Sequence, residues 1–305
     1  MAKRGISVGQ ALGEGFRLIG RRPLTVWVWG LVLLLPGLVP LAGLVGLRSV
    51  VMPGFDPAGP DPFDPQMFQV LAGLMALNGL SQILQIVGMA VVMTAVARAV
   101  LGRVGRRPFA LGLGLHEVRV GVSHLVVMIG LVLVLFCLGF GLVAGGLALM
   151  GQVTEAQRPW GIAAVAFLIL APALALYGRL SLIAPASVAY GRLAFEEGWR
   201  MGRGQTGRLA LLTLGTWLAT VLLVLAAVVL MLGVGFLASM AAQALPMDWR
   251  VEDWALALGV LAGIVIVFGA MAGVVASISL APYACAVRQL FVASEPAPSA
   301  DGDIL

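Results

Sequence analysis

Apolar residues fall into six long runs, and polar residues are confined almost entirely to the short stretches between them. The runs occupy residues 24–47, 70–97, 124–150, 160–184, 209–240 and 255–287. A helix needs about 20 consecutive apolar residues to cross a hydrocarbon core of about 30 Å, and each run meets that length. The pattern predicts six transmembrane helices. Several runs exceed the minimum, which predicts tilt or extension beyond the bilayer. The first run, Leu24 to Leu47, is too long for the apolar region of a cleaved signal peptide, about 7–15 residues, and is expected to stay as the first span.

A different periodicity precedes the odd-numbered spans. Val8, Leu12, Phe16 and Ile19 recur at helical spacing as one apolar stripe, and Ser7 with Gln10 is placed for a capping box at its start. Ala11-Leu12-Gly13-Glu14-Gly15-Phe16-Arg17-Leu18 has its counterpart ahead of span five in Ala194-Phe195-Glu196-Glu197-Gly198-Trp199-Arg200-Met201. Both run small, apolar, variable, Glu, Gly, aromatic, Arg, long apolar. Leu111 to Arg119, ahead of span three, is a looser echo. A basic amphipathic helix of this kind lies flat in the inner leaflet, or else packs on the neighbouring loops. The chain thus divides into parallel repeats at about 7–100, 106–190 and 192–290, a layout found in transporters but no proof of transport. The expected fold is all-α: a polytopic membrane protein with six transmembrane helices as three helical hairpins, each preceded by a short amphipathic interfacial helix. Residues 1–292 form the single six-helix membrane domain, and 293–305, with Pro296 and Pro298, form a disordered cytoplasmic tail.

Composition agrees. Hydrophobic residues make up 61% and charged residues only 11%, where a soluble domain carries roughly a quarter. Charge placement then orients the chain. Of the 19 Lys and Arg, all but Arg48, Arg158 and Arg250 fall at the N-terminus, in the stretches after even-numbered spans or beside them. The opposite loops hold Asp56, Asp61, Asp64, Glu155, Asp248, Glu252 and Asp253. The positive-inside rule places both termini in the cytoplasm. Trp160, Trp249 and Trp254 fit the outer interface, and Trp27 and Trp29 the inner one. The outer stretch 48–67, with five Pro among three Asp, resists regular structure. Scattered in short clusters, the basic residues do not make a nucleic-acid surface.

Candidate chemistry is sparse. The span centres hold no ionisable residue, the usual mark of an intramembrane site. Asn78, Gln82 and Gln85 share one face of span two and could line a polar path or act as interhelical hydrogen-bond glue. Thr213, Thr216 and Thr220 in span five, with Ser277 and Ser279 in span six, are the other polar groups. His116 and His124 are spaced poorly for a metal and fit headgroup-solvated positions. Cys137 and Cys285 lie in apolar helices as packing residues. Gly139-x-Gly141-x-x-Ala144 follows no strand, so it is no dinucleotide fingerprint. Gly141/Gly145, Gly259/Gly263 and Gly269/Gly273 instead have the spacing of close helix packing. Pro172 predicts a kink in span four. No catalytic residue, cofactor site or metal site is expected.

The most distinctive stretch is Arg179-Leu180-Ser181-Leu182-Ile183-Ala184-Pro185-Ala186-Ser187, followed by Glu197-Gly198-Trp199-Arg200, Gly204 and Arg208. It resembles the membrane domain of the glycerophosphoryl diester phosphodiesterase family and of related stand-alone bacterial six-helix proteins. Gly198 stands where that family usually has Ser, and Gly202 where it often has Thr; Ala281-Pro282 after Ser277 and Ser279 closes span six in a similar way. The resemblance implies a bacterial cytoplasmic membrane but not phosphodiesterase activity, because the His, Glu and Asp ligands of the soluble domain have no counterpart. The expected function is non-enzymatic: a basic cytoplasmic collar of Arg17, Arg21, Arg22, Arg106, Arg107, Arg200, Arg203 and Arg208 that binds anionic lipid or a partner, unless these residues serve topology alone. The alternative is a permease for an uncharged or amphiphilic small molecule.

Overall fold

A computed structural model of the chain describes residues 5–51, 65–102, 108–112, 114–150, 158–244 and 251–294. Among them the order is α1 (Val8–Arg21), α2 (Pro23–Val51), α3 (Pro65–Leu101), a 3₁₀ turn (Pro108–Ala110), α4 (Leu115–Met150), α5 (Arg158–Leu180), α6 (Ile183–Tyr190), α7 (Phe195–Met201), α8 (Thr206–Ala244) and α9 (Val251–Ser294). Six helices are long and apolar enough to cross a membrane, at Pro23–Pro40, Leu71–Leu101, Leu115–Gly146, Pro159–Tyr190, Thr206–Gly233 and Val265–Phe291. The chain is a multi-pass membrane protein. At about 1.5 Å per residue α9 is about 66 Å long, twice the hydrocarbon thickness, so the helices project beyond the core. Of the expected tail, Ala293 and Ser294 are instead the last residues of α9 and 295–305 lie outside the described residues, as does most of the proline-rich outer stretch.

Pro23 explains the first corner. Arg22 closes α1 with its N–H on the Leu18 carbonyl, and Pro23, which has no N–H to lose, opens α2. Within α2, Pro40 leaves the Pro36 carbonyl without its helical donor. Ser81 of α3 supplies one, its hydroxyl donating to Pro36 O at 2.7 Å. Pro36 in turn frees the Val32 carbonyl, and Gly88 of α3 lies against it: a Cβ there would come within 3.3 Å of that oxygen. Two prolines thus set where α3 docks on α2.

The tightest contact joins α2 to α9. A Cβ on Gly30 would sit 1.6 Å from the Gly269 carbonyl oxygen, and one on Gly273 would sit 2.0 Å from the Val26 carbonyl oxygen. Only glycine permits backbones this close. Gly141, Gly145, Gly259 and Gly263 face open space, so of the three glycine spacings only Gly269/Gly273 makes a helix contact of this kind. The inner parts of α3 and α9 form the core, whereas α4, α5 and α8 turn Phe136, Phe167 and Val229 outward. Such faces are costly in water and free of cost against hydrocarbon.

Several expectations need correction. Ser7 makes no side-chain cap bond; its backbone N–H, which Gln10 would have taken, donates to the Gln289 side-chain carbonyl at 2.9 Å. The segment ahead of span three is no separate helix: Leu115–Arg119 is the first turn of α4, which continues through Gly121. Span four breaks at Ser181–Leu182, where Pro185 cannot donate to the Ser181 carbonyl, and α5 includes Pro172. Trp29 is fully buried, its indole N–H donating to the Phe109 carbonyl at 2.9 Å, and so is a core anchor rather than an interfacial residue.

Candidate functional site

Both ends of the described chain meet at one end of the bundle, where α1 packs on α9 and α8, and where α6 and α7 lie. The Glu-Gly-aromatic-Arg order of the repeat has a structural meaning there. A Cβ on Gly15 would stand 3.0 Å from Ile278 Cα in α9, and one on Gly198 would stand 2.8 Å from Ile183 Cα in α6. Each short helix lays its glycine on the backbone of a neighbour. The next residue is turned elsewhere: Phe16 is 59% exposed, and Trp199 receives the Arg179 guanidinium over its ring at 5.3 Å.

The glutamates of the repeat form a series. Glu14 meets Arg288 at 3.5 Å, Glu117 meets Arg98 at 2.6 Å, and Glu197 meets Arg192. Each arginine stands at or just beyond the end of an even-numbered span: Arg98 in α3, Arg192 after α6, Arg288 in α9. Glu117 thereby ties the start of its own repeat to the end of the one before, Glu14 closes the chain on the last span, and Glu197 pairs within the turn that opens its own repeat. Gly191, left-handed at φ 70, shapes the turn between α6 and α7; Ser187 accepts its N–H on the backbone carbonyl, and Arg119 donates to the Gly191 carbonyl at 2.7 Å.

The candidate headgroup residues Arg17, Arg21, Arg22, Arg200, Arg203 and Arg208 are all exposed at this end. Arg17 is held only by Glu14 at 3.6 Å and Arg200 only by Glu196 at 3.6 Å among the ion pairs described, with the two arginine side chains 59% and 66% exposed. Such pairs are worth about 0–1 kcal/mol and are readily exchanged for another anion. Arg106 and Arg107 lie outside the described residues. No family model, curated protein or solved structure matches the chain.

Asn78, Gln82 and Gln85 are exposed on the outward part of α3 among Ile83, Leu84, Ile86 and Val87, and only Ser81 turns inward. A different polar cluster lies inside the bundle. A cavity of ≈ 110 Å³ between α3, α4, α5, α6 and α9 is lined in part by His124, Tyr177, Ser181, Ser279 and Tyr283. Tyr177 and Tyr283 meet edge to face with ring centroids 6.1 Å apart. Tyr283 donates to the Thr213 hydroxyl at 3.3 Å, and Ser279 shares a hydrogen bond with Thr220 at 3.0 Å. His124, expected among headgroups, lines this cavity. Sequence reasoning missed both tyrosines. The available signal was the paired Ser181-Leu182-Ile183-Ala184-Pro185 and Ser279-Leu280-Ala281-Pro282, which bring Ser181, Pro185, Ser279 and Leu280 to the same wall.

Proposed function

We propose that the protein is a non-enzymatic component of a bacterial cytoplasmic membrane, with both termini in the cytoplasm, that holds anionic lipid headgroups on its basic end. The observation that carries this reading is the pair Arg17 and Arg200. They occupy the same place in two repeats, directly after Gly-aromatic, and both are exposed with only a loose partner. Topology needs positive charge in a loop but is indifferent to where along a helix it sits. An arginine beside an aromatic can grip a phosphate in two-pronged fashion while the ring rests at headgroup depth, and lysine cannot. In this reading α1 and α7 are interfacial helices leading two of three helical hairpins. The chain is a relative of the stand-alone six-helix proteins that resemble the glycerophosphoryl diester phosphodiesterase membrane domain.

Arg17→Lys combined with Arg200→Lys should preserve orientation, so that a cytoplasm-dependent reporter fused after Gln205 stays active. The same variant should retain roughly threefold less anionic lipid through native purification, as expected for a loss of about 0.7 kcal/mol. Retention at the unmutated level would reduce the collar to a topology signal. A permease for an uncharged or amphiphilic molecule is the second reading, favoured by the cavity with its two tyrosines.

A further inference from the structure

The cavity has three features that together select a ligand. The apolar side of its lining comes first. Met128 lines it and is 37% exposed, on a stretch of α4 that lies within the span Leu115–Gly146. The cavity therefore reaches a side chain that is partly exposed on a membrane-spanning stretch of α4. Met89 and Met93 line it from α3, and methionine adapts its shape to irregular apolar chains. His124 lies two turns beyond the Glu117 ion pair along α4, about 10 Å at about 1.5 Å per residue, which is just below headgroup depth.

Charge comes second. Among the described residues no Lys, Arg, Asp or Glu lines the cavity, so a carboxylate or phosphate there would be buried without a counter-charge from them. The ligand must be neutral. Hydrogen-bond direction comes third. Tyr283 spends its proton on Thr213, and Ser181 spends its own on the Gly178 carbonyl at 3.1 Å. A hydroxyl has one donor and two acceptor lone pairs, so both groups now offer only lone pairs. A molecule they hold must donate. A ketone, ester or ether cannot; an alcohol can, and it can also accept from the imidazole N–H of His124.

We propose that this cavity binds a neutral lipid alcohol, its hydroxyl among Tyr283, Ser181 and His124 and its hydrocarbon chain leaving past Met128 between α3 and α4. The volume of ≈ 110 Å³ suits a hydroxyl head with its first methylenes; it would otherwise hold several waters at about 10–15 Å³ each. The inference stands apart from the collar, whose residues lie on the surface of the basic end.

The probe is a long-chain primary alcohol carrying a diazirine and an alkyne tag, photolysed with the full-length protein in lipid nanodiscs. Labelling should be saturable and should map to peptides containing Met89–Met93 or Met128. Unlabelled oleyl alcohol should compete about tenfold better than its methyl ether, the ratio expected for one hydrogen bond of about 1.4 kcal/mol. Ser181→Ala and Tyr283→Phe should each weaken competition by the alcohol and leave that by the ether unchanged. The Arg17→Lys/Arg200→Lys variant should label as the unmutated protein does, which separates this site from the collar. Equal competition by alcohol and ether, or unsaturable label spread over the outer faces of α4, α5 and α8, would overturn the proposal and leave the cavity a pocket of water.

Discussion

Gly30→Val and Gly273→Val should each abolish the assembled fold. The atoms that a new side chain would meet, the Gly269 and Val26 carbonyl oxygens, are backbone and cannot rotate aside. Relief requires α2 and α9 to separate by more than an ångström, which opens the core around Val26 and the fully buried Trp29. Overpacking commonly costs about 1–3 kcal/mol, and a backbone clash belongs at or above the top of that range. Fluorescence-detected size-exclusion should show loss of the monodisperse peak for either variant. Gly141→Val is the internal control. It has the same spacing motif but faces open space, so its effect should stay within about 0.5 kcal/mol. If Gly273→Val ran like Gly141→Val, the close α2–α9 approach would be wrong.

Arg98→Met should be nearly as damaging, for a different reason. The Arg98 and Glu117 side chains are only 10% and 4% exposed and meet at 2.6 Å. Arg98→Met takes from the buried Glu117 carboxylate the counter-charge it meets at 2.6 Å, and breaking a buried pair in this way costs about 3–5 kcal/mol. Replacing both, as Arg98→Met with Glu117→Leu, removes the charge problem together with the pair and should recover most of the loss. Thermal unfolding in detergent reads the difference. A double variant no more stable than Arg98→Met would show that the pair does not behave as a buried, compensated unit. The pair Arg192–Glu197 has a mostly exposed arginine, so Glu197→Gln should shift stability by no more than about 1 kcal/mol.

The six spans were legible because length and hydropathy are the only properties a bilayer demands of a helix, and the chain states both without interruption. The Glu-Gly-aromatic-Arg repeat was legible as order but not as geometry. Its apolar stripe marked Val8, Leu12, Phe16 and Ile19, yet the residues of α1 that are buried are Ala11, Gly15 and Leu18. An apolar side chain is equally at home against lipid or protein, so hydrophobic periodicity cannot tell which face meets α9. Close approach selects small residues instead, and small residues carry little hydrophobic signal. The same ambiguity hid which glycine pair packs: Gly141/Gly145 and Gly269/Gly273 are alike in sequence and opposite in structure.

The interior site was illegible for another reason. Tyr177 and Tyr283 lie on different spans, and Thr213 on a third, so no local spacing announces their convergence. Asn78, Gln82 and Gln85 did share a local face, and they are exposed among apolar side chains rather than beside the tyrosines. The ion pair Arg98–Glu117 was likewise hidden, because both residues sit in a stretch whose charge is already accounted for by the positive-inside rule. The collar arginines were found because orientation depends on them, and for that reason alone the sequence could not separate topology from recognition.

The most direct measurement is lipid selectivity of the unmutated protein. The full-length chain is reconstituted into bilayers of equimolar phosphatidylglycerol and phosphatidylcholine, and the motionally restricted fraction of each spin-labelled lipid is compared. A larger restricted fraction is expected for phosphatidylglycerol, because each arginine near an anionic headgroup contributes about 1 kcal/mol. That preference should shrink as salt rises and screening shortens to about 10 Å at about 0.1 M. Equal restriction of the two lipids at low salt would contradict it.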